Sequence, residues 1–144
     1  MTVTATVKLR EIAEESGSDP VGAVLHAVGD VSGYHPAYKL LLVGPYVRPS
    51  VTKGGIYKVD SVVDEDRYQN KVGLVLVVGP GCFVDDEFRK YWGFSVKAGD
   101  WVYYRGSDTD EMFFVDENGR DGAPCRSVED IHIKAKVDDP GLIY

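Results

Sequence analysis

Cysteine and histidine are scarce in this sequence: Cys82 and Cys125, with His26, His35 and His132, are all it has in 144 residues. Two cysteines cannot build a disulfide framework. Neither has a second cysteine or a histidine at ligand spacing, so no metal site is expected and both are read as buried free thiols in a reducing compartment. Basic charge is also short, with 16 Lys and Arg against 23 Asp and Glu and a formal net charge of −7. That balance argues against a surface built to neutralise phosphates, so no nucleic-acid partner is expected. No apolar run reaches the roughly 18 residues that a membrane span needs, and no basic, then apolar leader opens the chain. Catalytic signatures are missing too: there is no G-x-S-x-G elbow, P-loop or H-E-x-x-H. These gaps lead us to expect a soluble, intracellular, non-enzymatic protein with no catalytic residues, no cofactor and no membrane partner.

What the sequence does have is glycine, 16 of them, and short apolar runs. The first 37 residues differ from the rest. Thr2–Val7 alternates β-branched and small residues and suits a strand or an extended arm, and Lys8–Glu15 suits a short helix. Asp19-Pro20 supplies a capping carboxylate and a proline at the first helical position, Val21, Val24, Leu25 and Val28 follow at helical spacing, and Gly29 ends the element. Residues 32–36 read as a linker. We therefore place an N-terminal arm with a short helix at 1–37 and a β domain at 38–144. Strands are expected at Lys39–Val43, Val72–Val78, Asp100–Arg105, Met112–Val115, Cys125–Val128 and Ile131–Val137, with Asn118-Gly119 as a turn. Short strands with Gly-rich turns predict a mainly β fold, a small barrel or sandwich. Two long insertions, Pro49–Lys71 and Phe83–Lys97, are where function is expected.

The order of segments resembles the GroES-type co-chaperonin family. Leu40-Leu41-Leu42-Val43, then Thr52-Lys53-Gly54-Gly55-Ile56, then Val72–Gly81 follow its pattern. Val96-Lys97-Ala98-Gly99-Asp100-Trp101-Val102-Tyr103-Tyr104 is similar to its VKxGDxVxF segment, and Cys125–Lys134 to its closing strand. Asp64–Lys71 looks most like the GroES-like proteins encoded by tailed bacteriophages. The resemblance implies a small GroES-like β-barrel with long loops, assembling as a homo-oligomer. It also implies a loop that docks on a chaperonin, at Gly54, Gly55, Ile56, Tyr57 and Lys58. Lys58 departs from the apolar triplet of the family and would carry an ammonium into an apolar groove, which costs several kcal/mol unless the side chain snorkels.

Two further departures matter. The N-terminal arm has no counterpart in the family, and residues 83–94 replace a short hairpin with an aromatic loop. Phe83, Phe88, Tyr91, Trp92 and Phe94 either fold back over the β domain or anchor an interface. Val3 and Val7 of the arm would add to a neighbour's sheet edge. The acidic turns Asp108–Glu111 and Asp116–Gly119 do not match EF-hand spacing and are read as solvated. Acidic loops at Asp64–Asp66 and Asp85–Glu87 would repel packaged DNA and would face outward on a particle. The expectation is a bacteriophage virion structural protein, a capsid decoration or cement subunit that contacts the major capsid protein or other virion proteins. The alternative is a phage-encoded co-chaperonin that caps the host chaperonin in the host cytoplasm.

Overall fold

Apolar residues sit at consecutive positions in Leu41-Leu42-Val43, and a strand with that pattern needs cover on both faces. The computed structural model, which describes residues 8–9, 11–12, 14–47, 72–116 and 118–142, provides it. Strand β1 (Leu40–Pro45) lies inside a sheet with β2 (Val72–Val78), β3 (Trp101–Tyr103), β4 (Thr109–Val115), β5 (Asp121–Glu129) and β6 (Ala135–Val137). The order is β4-β5-β1-β2-β3-β6, and every pairing is antiparallel. Leu41 faces Val78 on one side and Val128 on the other. A register shift after Leu42 brings Val43 opposite Val75. Among the described residues the sheet is mainly β architecture in open form: β4 and β6 end it and it is not closed.

Two buried clusters flank β1. On one face Leu42, Leu74, Trp101 and Cys125 pack with Leu9, Ile12, Val24 and Val28. The last two belong to helix α1 (Pro20–Val28), which starts where Asp19 accepts a hydrogen bond from the Gly22 N–H at 3.0 Å. Helical turns also occur at the described positions within 8–15. The helical segments and the sheet thus share one core across position 37. Gly122 of β5 makes this closeness possible, because a β-carbon there would collide with the Val28 carbonyl of α1. On the opposite face Leu41, Val43, Val75, Val102 and Tyr104 are covered by Cys82, Val96, Phe83 and Phe94 from the 79–100 connection.

The expected strand at Ile131–Val137 is only half formed. Asp130–His132 is a 3-10 turn and β6 begins at Ala135. The apolar and polar alternation there does not mark a strand, because Asp130 is drawn inward by the contacts described next. Both cysteines are free and buried.

Candidate docking site

The 83–94 connection is fastened to the sheet by a buried carboxylate, Asp130, and a buried ammonium, Lys39. Asp130 follows β5 directly, and its side chain has no solvent exposure. Its Oδ2 accepts the Phe83 N–H at 3.0 Å and the Tyr91 hydroxyl at 2.7 Å. Arg89 approaches Oδ1 at 3.6 Å, and the Lys39 Nζ lies 4.0 Å from Oδ2. Lys39, at the threshold of β1, is buried as well. It donates to the carbonyls of Gly81 at 3.1 Å and Val84 at 3.2 Å, and it sits 5.2 Å from the ring centroids of both Tyr38 and Tyr91. A buried charge persists only when it is paired and hydrogen-bonded, and Lys39 and Asp130 supply each other's conditions.

The electrostatics match that bracing role. Burial opposes the Lys39 ammonium, but Tyr91, Asp130 and Tyr38 outweigh it and raise its pKa above the ordinary lysine value. Burial, then the bond to Asp130, pushes the Tyr91 hydroxyl up, so Tyr91 keeps the proton it donates. Burial likewise raises the Cys82 thiol, which points at the Leu40 carbonyl 3.3 Å away. A lysine nucleophile needs the opposite shift, toward the neutral amine.

Inside the loop, Asp86 Oδ1 accepts the Phe88 and Arg89 N–H groups, both at 2.7 Å, and these bonds hold its carboxyl below the usual carboxylate range. Asp85 accepts the Tyr91 N–H at 2.8 Å. Phe83 meets Tyr91 and Phe94 edge to face, with centroids 5.7 Å apart in each pair. Among the described residues, three non-glycine residues adopt the left-handed region, Tyr38 (φ 49°), Phe83 (φ 59°) and Trp92 (φ 57°). All three belong to this one region, and such conformations persist only where surrounding contacts enforce them.

The five loop aromatics therefore divide. Phe83, Tyr91 and Phe94 fold back onto the sheet, whereas Phe88 is 89% exposed and Trp92 is 90% exposed. Tyr38 and Val84, beside Lys39, are exposed too. Sequence reasoning singled out the rings but missed Lys39, Asp130, Arg89 and Tyr38. The available signals were a lysine opening an apolar run and an acid between Val128 and Ile131. The expected docking loop at Gly54, Gly55, Ile56, Tyr57 and Lys58 lies outside the described residues, as do Val3 and Val7 of the arm.

Elsewhere, an open cleft of about 740 Å³ lies between α1 and the end of β4, lined by Lys8, Leu25, His26 and Asp116 among others. Its charges are committed: Lys8 pairs with Asp116 at 3.4 Å, and Asp116 also accepts the Asn118 and Arg120 N–H groups. Arg105 similarly occupies Asp108. Among the described residues, no group of three or more His, Cys, Asp or Glu is placed to hold a metal ion, and no helix is long and apolar enough to cross a membrane. No protein-family model matches this chain, and no curated protein matches it.

Proposed function

We propose that this chain is a non-enzymatic assembly subunit, a capsid decoration or cement protein of a bacteriophage virion, that attaches to a neighbouring virion protein through the 83–94 loop. The observation that carries the docking role is the pair Phe88 and Trp92, nearly fully exposed on a loop whose base is locked by Asp130 and Lys39. An exposed aromatic pair adds nothing to the packing of the isolated chain, and large exposed apolar groups on a rigid support mark interaction surfaces. The virion setting is supported by the sequence resemblance to tailed-phage GroES-like proteins. The GroES-like barrel belongs to the same proposal. It is supported by the fact that parts of the resembling segments, residues 40–43, 72–78, 101–103 and 125–129, lie in strands of one sheet, whereas 79–81, 96–100, 104 and 130–134 lie outside the strands.

The experiment is quantitative mass spectrometry of purified virions, measuring this chain against the major capsid protein. A stoichiometric presence supports the structural role. Absence from virions, with recovery in chaperonin complexes of infected cells, overturns it in favour of the co-chaperonin reading.

A further inference from the structure

We propose that the surface receiving this loop belongs to a different protein and is an apolar pocket rimmed by lysine and arginine; the inference rests on the docking role above and adds the chemistry of the partner. The argument starts from where the charges point. Among the described residues, the loop and the ends of β5 and β1 that it is tied to carry five carboxylates, Asp85, Asp86, Glu87, Glu129 and Asp130, against three cations, Lys39, Arg89 and Lys90. Two of the three cations are spent within the protein. Lys39 is buried against Asp130, Asp86 and two carbonyls, and Arg89 lies between Asp130 and Glu129. The charge left facing outward beside Phe88 and Trp92 is therefore that of Asp85 and Glu87 against the exposed Lys90, an excess of one negative charge. A second copy would bring one net-negative loop and a chain charge of −7 against another. A basic rim would attract the loop and orient it, while the two rings supply the buried anchor at its centre. The anchor is also held in place before contact. The Phe88, Arg89 and Tyr91 N–H groups are already bonded to Asp86 and Asp85, so little loop ordering is left for binding to cost.

The test places a photoreactive benzophenone amino acid at Phe88 in the full chain and irradiates the assembled particles, or the lysate of the cells that make the protein. The attached peptide is then sequenced. The expected adduct is with another protein, on a peptide carrying lysine or arginine beside apolar residues. Its yield should fall about three- to tenfold between low and high salt, because a rim of exposed charges is screened within roughly 10 Å. Glu87→Lys should lower it comparably and Glu87→Gln by less, with the thermal midpoint unchanged in both. Adducts to a second copy, attached peptides without basic residues, or a yield indifferent to salt and to Glu87→Lys would each overturn the inference while leaving docking intact. The lack of any protein adduct would overturn docking itself and this inference with it.

Discussion

At Asp130 a single carboxylate receives an amide and a hydroxyl and faces two cations, so it concentrates more of the local energetics than any of the exposed aromatics. Replacing it with alanine leaves Lys39 buried without its counter-charge and strips the acceptor from Phe83 and Tyr91. Breaking a buried pair from one side costs about 3–5 kcal/mol, and urea denaturation of Asp130→Ala should show a loss of that size. Asp86 makes a pH-dependent contribution. Its folded pKa lies below the ordinary 3.8 because the Phe88 and Arg89 N–H groups bind the carboxylate. A depressed carboxylate stabilises the fold fully above its unfolded value and progressively less as pH falls through the folded one. Hydrogen exchange at the Phe88 and Arg89 amides should accordingly show protection beyond the intrinsic pH effect above about pH 4, and lose it on further acidification. The thiols behave as buried apolar groups: burial pushes Cys125 up to about 12 and raises Cys82 as well. The thiolate is the reactive form, so Ellman's reagent at pH 8 should find neither cysteine in the native protein and both after denaturation.

At the scale of elements, α1 shows how much a local signal can settle. Asp19-Pro20 and Gly29 bracket it in the sequence, and the helix runs between them from Pro20 to Val28. Its attachment to the sheet depends on something no local signal carries, the absence of a side chain at Gly122 against the Val28 carbonyl. Asp19→Ala should cost about 1 kcal/mol, the usual worth of an N-cap. Gly122→Ala should cost more, on the order of 1–3 kcal/mol, since backbone has to shift to admit the methyl group; thermal unfolding of the two variants side by side checks the ranking. β1 and β2 were legible because continuous apolar runs of that length, bounded by glycine and proline, have few alternatives to a strand covered on both faces. Ile131–Val137 misled because its alternation ignores Asp130, whose partners lie 39 to 91 residues away in the chain. The 83–94 loop was half legible for the same reason. Phe83 and Phe88 are equivalent as residue types, and only the turn pinned by Asp86, with Tyr91 tied to Asp130, sends one inward and the other out.

For the whole molecule, the two faces of the sheet have different fates. The face under α1 is closed by the helical segments, with Leu9, Ile12, Val24 and Val28 in the core. The other is closed by a loop that spends Phe83 and Phe94 on the core and leaves Phe88 and Trp92 outside. Stability and attachment are thereby separable, and Trp92 distinguishes them. It holds a left-handed φ of 57° that a non-glycine residue adopts at a cost, and its ring is 90% exposed. Glycine at that position relieves about 1–2 kcal/mol of left-handed backbone strain and gives back roughly 0.5–1 kcal/mol in chain entropy, so Trp92→Gly should keep or slightly raise the thermal midpoint. If the exposed ring is an interface anchor, its removal should cost about 2 kcal/mol or more of binding, which corresponds to a thirtyfold loss of occupancy under subsaturating conditions. Purified Trp92→Gly protein added to particles lacking the native chain should then remain largely unbound while melting no earlier than the native protein. Full occupancy by this variant would mean that the exposed aromatic loop is not the element that holds the molecule to its neighbour.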